Sequence, residues 1–165
     1  MPERAASPGP RPLALIDVDG VLNPYAAATC PDGYAEHDMF PGEEPVRVNP
    51  GHGTLLRRLA GTFDLMWATS WEDEANRLLV PLLGLGPLPV IPCSVRGLGQ
   101  HDKFPGIARA VGDRPAVWFD DLHSVPAHEW ATGRTPWTLL IHVDPAVGLT
   151  GAHIETALAA AALRG

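Results

Sequence analysis

The chain is nearly devoid of lysine and of cysteine, and each shortage narrows what it can be. Of its 12 basic residues, Lys103 is the only lysine. Arginine presents a planar fork, whereas lysine is a compact, flexible point charge. A composition that replaces every other ammonium by guanidinium therefore marks Lys103 as a place where the ammonium itself is needed. Cys30 and Cys93 are the only cysteines and form no CxxC pair, so neither a disulfide framework nor a cysteine zinc site is indicated. The seven histidines contain no HExxH and join no Cys/His cluster, which leaves no zinc motif. No apolar run approaches the length of a membrane span, and residues 1–12 (MPERAASPGPRP) hold Pro and Arg but no apolar signal region. A soluble, cytoplasmic protein with a disordered first twelve residues and no membrane partner is the expectation. The net charge of -7 argues against broad attraction to nucleic acid, so any such binding needs a specific local site.

What is present suits one domain over residues 13–165, because 165 residues with 45% hydrophobic content fill one core and are short for two. Strand-length apolar runs recur at Leu13–Ile16, Phe63–Ala68, Leu88–Ile91, Ala116–Phe119 and Thr138–Val143. Helical stretches fall between and after them at Gly53–Ala60, Glu72–Leu83, Phe104–Val111 and His153–Leu163. This alternation predicts an α/β protein with a mostly parallel, five-stranded sheet covered on both faces. Residues Asn23–Asn49 break the pattern with four prolines, two glycines and no sustained period. They read as a long loop or small flap, a feature often tied to function.

The chemistry lies at the strand ends. The first strand runs into Leu15-Ile16-Asp17-Val18-Asp19-Gly20-Val21-Leu22, with Asp17 and Asp19 at the carboxyl end, where ligands of open α/β sheets bind. In an extended chain both would point to one side, and Gly20 would let the backbone turn away. One carboxylate can attack phosphorus while the other protonates the leaving oxygen, given a cation to offset their charge; the bland alternative is a pair of solvated loop aspartates. Thr69 and Ser70 follow the second strand, where a helix N-cap is the competing role. Lys103 precedes the helical stretch Phe104–Val111, and Asp120-Asp121 close the fourth strand.

Together these residues resemble the four motifs of the haloacid dehalogenase (HAD) superfamily, in order, over nearly all of Leu13–Leu163. The resemblance implies a three-layer Rossmann-like fold and a phosphohydrolase in which Asp17 is the nucleophile and Asp19 the general acid and base. Thr69 would hold the phosphoryl oxygens, with Ser70 a close competitor, and Lys103 would neutralise charge. It also implies Mg2+, held by the Asp17 side chain, the Asp19 carbonyl, Asp120, and Asp121 directly or through water. Intervals of 52, 34 and 17 residues between Asp17, Thr69, Lys103 and Asp120 leave room for crossovers but not for a cap domain, so the flap stands in its place. The small HAD domain of bacterial RNA-repair proteins is the subset it is most similar to.

Trp71 is the aromatic residue to place at the site rim, stacking on a substrate base, with core packing as the alternative. His101 and His123 lie near motif positions and are candidates for the pocket lining. The expected substrate is an exposed phosphomonoester, on a small molecule, nucleotide or nucleic-acid end. Alternatives are a phosphotransferase or small-metabolite phosphatase completed by oligomerisation, and a phosphate-binding module on a dead scaffold. A dehalogenase would not need Asp19, and a dead scaffold should have lost an acidic motif residue, whereas none is missing.

Overall fold

The structure is a computed structural model and describes residues 9–93 and 103–164. Most of the proposed disordered start, residues 1–8, and His101 lie outside the described residues. Four strands, β1 (Leu13–Ile16), β4 (Asp64–Trp67), β5 (Ala116–Asp120) and β6 (Thr138–His142), form a parallel sheet in the order β4-β1-β5-β6. β1 and β5 are apolar up to their carboxyl ends and buried along their whole length, as central strands covered on two faces must be.

Successive residues of β1 serve opposite faces. Ala14 and Ile16 join one apolar cluster with Leu56, Leu59 and Ile154, while Leu13 and Leu15 join another with Ile107, Val111 and Ala127. The first cluster is closed by α1 (His52–Ala60), α3 (Val80–Leu83) and α6 (Gly151–Arg164); the second by α4 (Phe104–Val111) and α5 (Val125–Gly133). The result is a three-layer α/β arrangement of Rossmann-like kind. Among the described residues no helix is long and apolar enough to cross a membrane.

Three elements depart from expectation. The fifth strand, Leu88–Ile91, is reduced to one parallel bridge between Trp67 and Val90. Trp67 N–H donates to Pro89 O and Ile91 N–H to Trp67 O, both at 2.9 Å. The next rung along β4 would require an N–H from residue 89, and Pro89 has none. The single helix expected over Glu72–Leu83 is divided into α2 (Glu74–Leu78) and α3. Pro81 cannot donate to the preceding turn, so it occupies the first turn of a new helix that ends on left-handed Gly84. Helix α5 was not expected. It begins where the Ser124 hydroxyl accepts from Ala127 N–H, with proline in its first turn.

The segment between Asn23 and Asn49 is not all loop. It contains an antiparallel hairpin of β2 (Ala35–His37) and β3 (Val46–Val48), whose Val46 and Val48 are buried in the first cluster. Arg47 ties it down, donating to Pro24 O and Ala27 O and pairing with Glu36.

Candidate active site

The strand register brings the motif residues together. Ile16 lies level with Trp67 on one side and Phe119 on the other. The residues that follow, Asp17, Ala68-Thr69 and Asp120, therefore emerge side by side at the carboxyl edge of the sheet. Asp17 N–H still bonds Phe119 O (3.2 Å), and Ala68 N–H bonds Ile16 O (2.8 Å), which fixes these positions through the backbone.

Lys103 closes the group from α4. Its Nζ lies 3.0 Å from Asp17 Oδ2 and 2.6 Å from Asp120 Oδ2, and it donates to Ala68 O at 3.2 Å. Asp17 Oδ1 accepts from Val18 N–H, and Asp120 accepts from Trp118 Nε1–H and Leu122 N–H. Carboxylate oxygens of Asp17, Asp120 and Asp121 lie within 4.8 Å of one another, the first two residues buried and the third half-buried. Three carboxylates against one ammonium leave the cluster short of positive charge. Burial, and then the charge of Asp120, raise the Asp17 pKa well above the ordinary carboxylate value, although Lys103 pulls the other way. Burial opposes the charge of Lys103, but Asp17 and Asp120 more than offset it, so its pKa is raised. An all-oxygen carboxylate set of this kind can hold a metal ion.

After Asp17 the chain is not extended. The amides of Val21, Leu22 and Asn23 all donate to Val18 O, and Gly20 N–H returns to Asn23 O. Gly20 has φ +83°, and a Cβ there would come within 2.5 Å of Asp121 Cγ. Glycine is needed both for the turn and for the approach of Asp121. The turn still delivers Asp19 to the side where Asp17 lies.

Asp17, Asp19, Lys103 and Asp121 line a cavity of about 450 Å³, together with Ser70 and Trp71. The flap contributes the other wall through Phe40, Glu43, Glu44, Pro45 and Val46. Ser70 is exposed and faces this space. Thr69 is buried and does not line it; its hydroxyl oxygen accepts from Trp71 N–H at 3.2 Å. Trp71 packs edge-on against Phe40, with ring centroids 4.8 Å apart, and its indole N–H donates to Asp19 Oδ2 at 2.9 Å. His123 instead packs against the edge of Trp118, and burial lowers its pKa to about 4. Burial pushes the Cys93 thiol up to about 11, so it is no nucleophile at neutral pH.

Several participants were not found from the sequence. Asn23 donates to Asp19 Oδ1 at 2.9 Å, and Tyr25 O–H donates to Asp121 Oδ2 at 3.1 Å. Both belong to the start of the flap, where no periodicity orients a side chain. Trp118 carried a usable signal: two positions before Asp120 on one strand, it shares that residue's face. The chain matches no protein-family model and no curated protein.

Proposed function

We propose that the protein is a magnesium-dependent phosphomonoester hydrolase of the HAD type, acting through an aspartyl-phosphate on Asp17. The observation that carries this reading is the meeting, at one sheet edge, of Lys103 Nζ with Asp17 and Asp120, beside a cavity into which Asp19 also opens. Asp17, Asp120 and Asp121 would hold the Mg2+, with the Asp19 carbonyl as the further ligand that the resemblance assigns. Bound there, the ion would supply positive charge for the nucleophile and the phosphoryl oxygens.

In the first step an Asp17 carboxylate oxygen forms a bond to phosphorus as the bond to the leaving oxygen breaks. Asp19 gives its proton to that oxygen. In the second step water attacks phosphorus, Asp19 takes a proton from the water, and the Asp17–phosphorus bond breaks to release phosphate. Lys103 offsets charge on Asp17 throughout. Ser70, exposed in the cavity, is the better placed of the two hydroxyls to meet the phosphoryl oxygens, while Thr69 shapes the turn that presents it. An exposed phosphate, as on a nucleotide or a nucleic-acid end, suits a cavity roofed only by a flap.

The test is hydrolysis of an aryl phosphate with Mg2+. Activity should stop on chelation and vanish in Asp17→Asn, whose fold, followed by circular dichroism, should be unchanged. On an alkyl phosphate, whose leaving oxygen needs a proton, Asp19→Asn should slow turnover by roughly two to four orders of magnitude, the scale of general acid-base catalysis. Full activity in excess chelator, or in Asp17→Asn, would refute the assignment.

A further inference from the structure

We propose that Trp71 is a positioning residue for Asp19, its indole N–H fixing the carboxyl group that serves the leaving oxygen; this rests on the hydrolase reading above. Asp19 stands on a turn beyond the end of β1 and is only half-buried, so neither the strand nor the core locks its side chain. The terminal torsion of an aspartate is broad and has no sharp rotamer. Two donors restrict it here, one on each oxygen: Asn23 Nδ2–H on Oδ1 and Trp71 Nε1–H on Oδ2, both at 2.9 Å.

Both donors are themselves held. Asn23 is buried, and its Oδ1 accepts from Arg47 N–H at 3.0 Å. The Trp71 ring is braced by the edge-on contact with Phe40 of the flap, at an interplanar angle of 85°. Its amide is tied to Thr69 Oγ1, which fixes the backbone that carries it.

The chemistry of the indole suits this task. It offers one donor and no acceptor, so it can neither present the wrong atom nor take up the proton that Asp19 must deliver. Each carboxyl oxygen keeps a second lone-pair site, so Asp19 can carry that proton while its plane stays fixed. When the proton passes to the leaving oxygen and the phosphorus–oxygen bond breaks, the resulting carboxylate already has two N–H groups on it. Misplacing a catalytic group by about 1 Å can cost on the order of a hundredfold in rate, which is the loss the two donors prevent.

The experiment uses two esters. An alkyl phosphate has a leaving alkoxide that requires the Asp19 proton, whereas an aryl phosphate of an electron-poor phenol leaves readily as the anion. Trp71→Phe keeps an aromatic ring for the contact with Phe40 and removes the N–H along with part of the indole's area. It should lower kcat/KM for the alkyl ester about ten- to a hundredfold, part of a full general-acid contribution, and for the aryl ester less than about threefold. In an Asp19→Asn background, Trp71→Phe should cost nothing more on the alkyl ester, as expected of two residues acting as one unit. Should Trp71→Phe fold poorly, Phe40→Leu, which keeps the N–H and loosens the ring, reads the same contrast between esters. Equal losses on both esters, or additive losses in the double variant, would overturn the positioning role while leaving the hydrolase reading intact. A wild-type protein that hydrolyses neither ester with Mg2+ overturns the hydrolase reading, and this proposal with it.

Discussion

Lys103 has one acceptor for each of its three ammonium hydrogens, on Asp17, Asp120 and the Ala68 carbonyl. A guanidinium spreads its donors over a plane and cannot converge them on one point. Lys103→Arg should therefore lose nearly as much kcat/KM as Lys103→Ala, both measured on an aryl phosphate. Near-wild-type activity in the arginine variant would show that the site needs charge alone. Asp17, Asp19, Lys103, Asp120 and Asp121 were legible in the sequence because each stands at the end of an apolar run or the start of a helix, where an open sheet places ligands. Their supports were not. Asn23 and Tyr25 reach Asp19 and Asp121 from the flap, and contacts across an irregular segment leave no mark in a hydrophobic pattern. The contact of Trp71 with Asp19 was hidden for another reason: an aromatic residue after a strand signals area to bury, and the direction of its single N–H is set by the fold.

At the level of elements, the flap forms one wall of the cavity. Its tip places Glu43 and Glu44 in the cavity wall, both exposed, where they oppose the approach of a long polyanion more than that of a single phosphate. A mononucleotide should thus be preferred over the matching end-phosphorylated oligonucleotide. The double variant Glu43→Gln, Glu44→Gln should narrow the gap in kcat/KM, most of all at low salt, where screening is weakest. An unchanged ratio at every ionic strength would remove the flap from substrate choice. The four strands of the parallel sheet were readable as apolar runs, and the helices α1, α4 and α6 by the apolar period between and after those runs. The fifth strand, the break between α2 and α3, and helix α5 were decided by single atoms: the missing N–H of Pro89, the missing N–H of Pro81 and the hydroxyl of Ser124. Periodicity averages over such details. The β2–β3 hairpin escaped notice because only Val46 and Val48 of its six strand residues are buried.

For the molecule as a whole, a metal ion held by the acidic cluster would couple its binding to stability. A divalent cation that binds only the folded chain at roughly a hundredfold excess over its Kd stabilises by about 2.7 kcal/mol. Mg2+ should accordingly raise the Tm of the wild-type protein, and Asp120→Asn should abolish the rise; an equal rise in that variant would place the ion elsewhere. A second coupling involves protons. Burial lowers the pKa of His52, His123 and His153 below the ordinary 6.5. As pH falls below that value the unfolded chain takes up protons that the folded chain resists, so these groups withdraw stability in acid. Asp17, with its pKa raised in the folded state, acts in the opposite sense. The difference between wild type and His52→Gln isolates one histidine: the loss of unfolding free energy from pH 7 to pH 5, measured by urea titration, should be smaller in the variant. Finally, two of the five tryptophans donate their indole hydrogens to carboxylates of the site, Trp71 to Asp19 and Trp118 to Asp120. Indole emission shifts with the charge beside its ring nitrogen, so a cation or phosphate taken up beside these carboxylates should change the fluorescence of the unlabelled protein. Such a change would report binding in real time and without turnover.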